Sequence, residues 1–182
     1  MNKEFVARRL DLKSFAQAAT PLSAEDALGS HERLAHEAQG PIEGLTVNWT
    51  ARGEFRPGAD GANEVWLHLQ AQTRLPLLCQ RCMGPVDTDV ASDRWFRFVA
   101  DEATAEALDD EAEEDVLVLS AEFDLPTLVE DELLMALPLV PRHDTCPVEV
   151  KLAVADADFE ASSGARPSPF AALASLRLDK SS

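Results

Sequence analysis

Two stretches in the first half of the chain decide the fold: LTVNWTAR (residues 45–52) and VWLHLQA (residues 65–71). In both, apolar side chains alternate with polar ones, which is the period of two expected of a β-strand with one buried face. The six residues GADGAN at positions 58–63 separate them, and glycine, aspartate and asparagine favour turns. The pattern therefore predicts two neighbouring antiparallel strands.

The pattern continues downstream and enlarges the predicted sheet. Residues 86–99 indicate a third strand, bent near its middle, and residues 116–119 indicate a fourth. Pro76 is expected at an edge or a bulge, because proline has no N–H to donate to a neighbouring strand. The sequence therefore predicts an α+β domain built on an antiparallel sheet of about four strands.

An amphipathic helix is predicted to cover this sheet, within FDLPTLVEDELLMALPLVP (residues 123–141). Asp124 can cap its N-terminus, Pro126 suits its first turn, and Pro138 ends it. Helical spacing places five apolar residues on one stripe, Leu125, Leu128, Val129, Leu133 and Leu137. We expect this stripe to face the sheet.

Three acidic residues of the same helix, Glu130, Asp131 and Glu132, are expected on the side away from the stripe. They are candidate partner-binding residues. The alternative is that they form an ordinary solvated face of a core helix.

Three regions are predicted along the chain. Residues 1–44 form a helical N-terminal arm, with Ser23 as the N-cap of a helix that ends before Gly40, and residues 45–150 form the core domain. Residues 151–182 form a flexible tail that ends in a short helix within PSPFAALASLRL (residues 167–178). That helix either docks on the domain or waits for a partner, for which Phe170 is a candidate contact.

Charge is distributed unevenly along the chain. The net charge is −17 and the isoelectric point about 4.5. Residues 101–135 contain fourteen acidic residues and no basic one, while the rest of the chain has 16 basic and 19 acidic residues. Its densest part, residues 101–115, is predicted to be a mobile acidic loop because it repels itself and buries little apolar area. It is either a solvated linker or a docking strip for a cationic partner.

Four side chains have the chemistry of a zinc site: Cys79, Cys82, His143 and Cys146. A Cys-x-x-Cys pair and a His-x-x-Cys pair together supply the ligands of a tetrahedral structural zinc. The alternative is two unrelated loops with reduced thiols. A redox role for Cys79 and Cys82 is less favoured, because no alternating β/α pattern surrounds them.

Several classes of protein are excluded by what the sequence lacks. It contains no P-loop, GxGxxG, GxSxG or HExxH motif, so we expect no enzyme. No apolar run approaches the ~18 residues of a membrane span, and no secretory signal is visible, so we expect a cytoplasmic protein with no membrane association.

Three segments together resemble a known family: CQRCMGPV (79–86), FDLPTLVEDELLMALPLVPRHDTC (123–146) and PSPFAALASLRL (167–178). They look like the YceD-type large ribosomal RNA subunit accumulation proteins of bacteria. The resemblance implies a cytosolic, non-enzymatic factor in the synthesis, processing or stability of 23S ribosomal RNA. Some relatives carry a second full cysteine pair after the helix, where this chain has His143 and Cys146.

The acidic composition favours a basic ribosomal protein or a pre-ribosomal particle as partner, because nucleic-acid binding draws on Lys and Arg. The alternative is a zinc-knuckle module that contacts ribosomal RNA directly. It is favoured by the basic residues near the cysteines, Arg74, Arg81, Arg94 and Arg97.

Overall fold

Five strands form one sheet in a computed structural model of the chain, which describes residues 5–58, 61–109, 112–151 and 154. The strands are β1 (Leu22–Ala27), β2 (Thr46–Pro57), β3 (Asn63–Leu78), β4 (Pro85–Val99) and β5 (Asp115–Val118). Their order in the sheet is their order in the chain. The first four are antiparallel, and β5 runs parallel to β4. The α+β class is confirmed, with one strand more than expected.

Strand β1 corrects the prediction of a helix after Ser23. Residues 22–27 pair with β2 from Leu22 opposite Ala51 to Ala27 opposite Thr46. Side chains along β1 alternate between half-buried and exposed, as a strand requires. These residues form a strand and not a helix because they pair with the edge of β2. The helical part of the stretch is the short helix α2 (Glu32–Glu37).

Pro76 lies where the sheet tolerates a proline. Pairing between β2 and β3 ends at Val47 and Thr73, so β3 has no strand beside it on that side at Pro76. The backbone N–H of Gln39 donates to the Pro76 carbonyl at 2.6 Å. The expectation of an edge position is therefore confirmed.

Helices α1 (Leu12–Ala18) and α4 (Leu125–Met135) cover one face of the sheet. The amphipathic pattern of residues 124–137 predicted α4 in this position. Asp124 caps α4 by accepting a hydrogen bond from the Thr127 N–H at 3.2 Å. The stripe residues Leu125, Val129 and Leu133 are fully buried against the sheet. Leu128 and Leu137 pack at its margin.

The acidic segment is partly helical, which corrects the expectation of a loop. Helix α3 spans Glu102–Asp109, and Asp101 caps it by accepting from the Thr104 N–H at 2.8 Å. Alanine and leucine, which favour helices, outweigh the repulsion among the carboxylates at this point. Ala105 is buried, so the segment contributes to packing. The mobility of residues 101–115 stays a prediction.

Residues 5–44, which belong to the predicted helical N-terminal arm, contribute side chains to the hydrophobic core. Met1–Cys146 form one compact unit. Leu10, Phe15, Leu28 and Leu34 are fully buried in its hydrophobic core. These apolar side chains pack in one core with those of the sheet. The local sequence pattern does not reveal this burial.

Pro147–Ser182 form a second unit. The tail helix predicted within residues 167–178 and its candidate contact Phe170 lie outside the described residues. Within the described part of the chain, no helix has the length and apolar character to cross a membrane.

Candidate functional site

The turn between β3 and β4 brings Cys79 and Cys82 together. The Cys79 N–H donates to the Gly84 carbonyl at 2.8 Å, and the Met83 N–H donates to the Cys79 carbonyl at 2.9 Å. Met83 adopts a left-handed backbone conformation with φ of 59°. This tight turn folds the chain back so that both cysteine side chains point to the same side.

The segment after α4 supplies the second pair. The Gln80 N–H donates to the Pro141 carbonyl at 2.9 Å, which fastens this segment to the β3–β4 turn. The His143 N–H points at the Cys79 sulfur, 3.5 Å away. The fold thus closes the separation of 61 residues between Cys82 and His143.

The four potential ligand atoms of Cys79, Cys82, His143 and Cys146 all lie within 4.8 Å of one another. The Cys82 Sγ and the His143 Nδ1 are 3.4 Å apart. Two atoms bound to the same tetrahedral zinc, at ~2.3 Å for sulfur and ~2.0 Å for nitrogen, lie about 3.5 Å apart. All three cysteines are free thiols. The residue types and the spacing therefore fit a four-ligand zinc site.

The electrostatics of the cluster favour a thiolate at Cys79. Burial opposes ionisation, but the N–H groups of Cys82, His143 and Arg81 and the side chain of His143 stabilise the charged sulfur. Together they lower the Cys79 pKa to about 5. Burial raises the pKa of Cys146, and the neighbouring Cys82 and Cys79 sulfurs raise it further. A cation among the sulfurs would relieve this repulsion.

A thiol oxidoreductase needs an accessible nucleophilic sulfur. Cys79 has a lowered pKa, but its side chain is fully buried. The geometry therefore favours metal binding over redox exchange.

Glu130 and Asp131 of α4 bind Arg33 within the domain, so the prediction of an exposed acidic face is wrong for Glu130. Glu130 is 9% exposed and accepts hydrogen bonds from the N–H groups of Arg33 and Leu34 at 2.8 and 3.2 Å. The Arg33 guanidinium bridges both carboxylates, at 2.8 Å from Glu130 and 2.6 Å from Asp131. Glu130 therefore anchors the first turn of α2.

Glu132 is also buried, which corrects its prediction as a surface residue. It is 2% exposed, and its carboxylate accepts a hydrogen bond from the Ser92 hydroxyl at 2.9 Å. The Arg94 guanidinium lies 3.9 Å from the same carboxylate. Burial, together with the charges of Asp115 and Asp131, raises its pKa. Of the three acidic residues, only Asp131 keeps a half-exposed side chain.

A cluster of aromatic residues, not predicted from the sequence, lies on the other face of the sheet. The Arg56 guanidinium carbon lies 4.3 Å from the Trp66 ring centre and 3.8 Å from the Trp95 ring centre. His68 stacks on Trp95 at 4.4 Å. The alternation of side chains along each strand could have placed these residues on one face of the sheet. It could not have predicted the register between the strands, which brings them into contact.

Comparisons with known proteins cover a large part of the chain. A family profile described as "Large ribosomal RNA subunit accumulation protein YceD" matches residues 67–177. A Haemophilus influenzae protein of the same name is 34% identical over 110 residues, which cover 59% of this chain and 63% of that protein. The chain thus spans just under two thirds of that relative. No solved structure matches this chain significantly.

Proposed function

Since the chain belongs to the family of YceD-type large ribosomal RNA subunit accumulation proteins, we propose that it is a non-enzymatic ribosome biogenesis factor. In this role it supports the synthesis, processing or stability of 23S ribosomal RNA. The main support for the proposal is the family match over residues 67–177. These residues include helix α4 and the Cys3His cluster, which consists of Cys79, Cys82, His143 and Cys146. The family is named for accumulation of an RNA and not for a reaction.

The charge of the chain supports a protein partner. Binding to nucleic acid draws much of its affinity from Lys and Arg that neutralise phosphates. This chain has 16 such residues against 33 acidic ones. A basic ribosomal protein, free or within a pre-ribosomal particle, is the complementary partner.

Deletion of the gene tests the proposal. Cells without it are expected to contain less 23S ribosomal RNA relative to 16S, and expression of the intact chain is expected to restore the ratio. Northern blots with probes for mature and precursor 23S RNA would separate slow processing from degradation. An unchanged ratio under all growth conditions would contradict the function.

The Cys3His cluster is proposed to hold one structural zinc ion. Four protein ligands leave no open coordination position, and such sites add stability without taking part in chemistry. Here the metal would join the β3–β4 turn to the segment after α4 through Cys82 and His143.

Elemental analysis of protein purified without chelators tests this site. We expect about one zinc per chain, as one four-ligand site implies, and loss of the metal in a Cys82→Ser, His143→Ala double variant. His36→Ala is the matched control, because His36 is an exposed histidine outside the cluster. Metal-free protein with unchanged melting would show that the cluster consists of reduced thiols only.

Direct contact with ribosomal RNA is the second candidate function. Arg81 and Arg142 are both exposed and lie on the two segments that meet at the cluster. Affinity capture from lysate with and without RNase distinguishes the candidates. Ribosomal proteins that remain bound after RNase treatment support the first, whereas salt-sensitive binding of purified RNA that requires both arginines supports the second.

A further inference from the structure

Strand β4 is longer than the strand that covers its outer edge. It spans Pro85–Val99, and β5 pairs with only its last four residues, Phe96–Val99. No described residue forms a backbone hydrogen bond with the outer edge of residues 86–94. An unpaired edge of this kind can accept an additional strand.

The direction of the free backbone groups follows from the register. Pairing with β3 is one-to-one from Leu78 opposite Pro85 to Val65 opposite Phe98, without a bulge. The Val99 carbonyl points outward, since it accepts from the Leu119 N–H at 2.8 Å. In an antiparallel pair, every second residue points its N–H and C=O to the same side. Four more residues therefore point their backbone N–H and C=O groups outward along the uncovered edge: Asp87, Asp89, Ala91 and Asp93.

Three of these four residues carry exposed carboxylates. The exposed fractions of their side chains are 67% for Asp87, 83% for Asp89 and 61% for Asp93. Arg74 approaches Asp87 and Asp89 only to 3.9 and 3.7 Å. Asp93 accepts hydrogen bonds from Gln70 and His68, which lower its pKa. The edge thus presents a row of negative charge over about 20 Å.

This charge pattern selects among possible occupants. The phosphates of a nucleic acid would be repelled by the row of aspartates. A second copy of the chain would place aspartates opposite aspartates, which destabilises cross-strand pairing. A segment with lysine or arginine at alternate positions would place cations opposite the aspartates.

We propose that the outer edge of β4, residues 86–94, binds an extended cationic segment of a protein partner as an additional strand. The proposal rests on the proposed function, since it gives the surface that would hold a basic ribosomal protein. Backbone hydrogen bonds supply the affinity, and the aspartates select for the alternating cations.

A fluorescent nine-residue peptide with lysine at alternate positions and threonine between them is the probe, titrated against the full chain. A peptide of the same composition with N-methyl groups on the residues that face β4 is the control, because it keeps the charge and loses the donors. We expect the methylated peptide to bind at least tenfold more weakly. Equal binding of both peptides would reduce the interaction to charge attraction and overturn the proposal.

Variants of the edge test the same point from the protein side. Ala91→Pro removes an outward N–H without removing a hydrogen bond to β3, and Ala91→Thr keeps that N–H. We expect only the proline variant to lose peptide binding. Asp87→Asn with Asp89→Asn is expected to weaken binding about tenfold with the fold intact. This double variant provides the decisive measurement if Ala91→Pro melts at a lower temperature.

Growth assays separate the two proposals. If the intact chain restores 23S RNA and the Ala91→Pro chain restores it equally, the edge proposal is overturned and the function stands. If the intact chain fails to restore 23S RNA while the peptide still discriminates between the variants, the function is overturned and the strand-binding edge stands. Equal peptide binding by all variants would mean that the aspartates only protect the edge from aggregation.

Discussion

Glu130 and Glu132 lie two positions apart on α4, and their surroundings move their pKa values in opposite directions. Burial disfavours the charge of Glu130, but the N–H groups of Leu34 and Arg33 and the Arg33 guanidinium outweigh it and lower its pKa. Burial dominates at Glu132 and raises its pKa. The same substitution at the two positions should therefore have different effects.

Glu130→Gln is expected to destabilise the protein by about 1–3 kcal/mol at pH 7, because buried N–H groups lose a charged acceptor. Asp131→Asn, which affects a half-exposed pair with the same arginine, should cost less than about 1 kcal/mol. Urea unfolding of both variants measures the difference. Equal losses would mean that Glu130 contributes no more than a surface ion pair.

Acidification should reduce the difference between the parent protein and Glu130→Gln. A carboxylate with a lowered pKa in the folded state stabilises the fold above its unfolded value of ~4.3, and this stabilisation is lost as the pH falls through the folded value. Unfolding free energies measured between pH 7 and pH 3 should therefore converge. A constant difference across this range would contradict the assigned role.

Glu132→Gln is expected to leave stability within about 1 kcal/mol of the parent at pH 7 or to increase it, since it removes a buried charge and can keep the Ser92 hydrogen bond. Because the pKa of Glu132 is raised in the folded state, the parent protein should gain stability relative to this variant as the pH falls from the folded pKa towards the ordinary glutamate pKa. A strong loss at pH 7 would instead show that the pair with Arg94 is required.

The sequence predicted the Cys3His group by ligand type and spacing, but it could not predict the roles of Glu130 and Glu132. Periodicity identifies the apolar stripe of a helix, and the side without apolar residues is then predicted to face solvent. The neighbours of that other side, Arg33 and Ser92, are 97 and 40 residues away along the chain. Only the tertiary fold brings them together.

At the scale of elements, the tip of the β3–β4 hairpin depends on the segment after α4. If the cluster holds the proposed zinc ion, its removal by a chelator should increase hydrogen exchange at the Cys79 and Gln80 amides, which bond to Gly84 and Pro141. Amides in the middle of the hairpin, near Leu69, should remain protected because β2 and β4 flank them. Exchange measured by NMR or mass spectrometry checks this. Uniform loss of protection would mean that the metal holds the whole domain together.

Helix α1 approaches β2 closely at Gly53. A Cβ atom there would lie 2.8 Å from the Ala16 backbone nitrogen and 2.9 Å from the Phe15 ring. Gly53→Ala should therefore cost about 1–3 kcal/mol through overpacking. Gly29→Ala, whose Cβ would lie 3.8 Å from the Ile42 side chain, should change stability by less than about 0.5 kcal/mol. Thermal melting of the two variants compares them, and equal midpoints would contradict the close packing.

Elements with a strict period were predicted well, and so was the short strand β5, whereas β1 and α3 were not. β2, β3 and α4 show clear patterns, and all three form as expected. β1 and α3 were missed because each depends on a tertiary neighbour: β1 on the edge of β2, and Ala105 of α3 on a buried position beside the sheet. The parallel pairing of β5 likewise needs α3 as the connection that returns the chain.

At the scale of the whole molecule, the core residues that the structure describes all lie in the first compact unit, Met1–Cys146. A chain truncated after residue 150 should therefore melt cooperatively within about 2 °C of the full chain. It should also keep the proposed zinc ion, because all four candidate ligands lie in that unit. Differential scanning calorimetry and metal analysis check both expectations. A broad or strongly lowered transition would show that residues 151–182 contribute to the core.

The distance along the chain between the two halves of the Cys3His cluster has a consequence during synthesis. Cys82 and His143 are 61 residues apart. At ~5–20 residues per second, roughly 3–12 seconds pass between translation of the first pair and of the second. The meander β1 to β4 pairs only neighbours in the chain, so it can form within that interval. Cys79 and Cys82 are therefore synthesised well before His143 and Cys146, and the proposed metal site is complete only once the segment after α4 meets the hairpin.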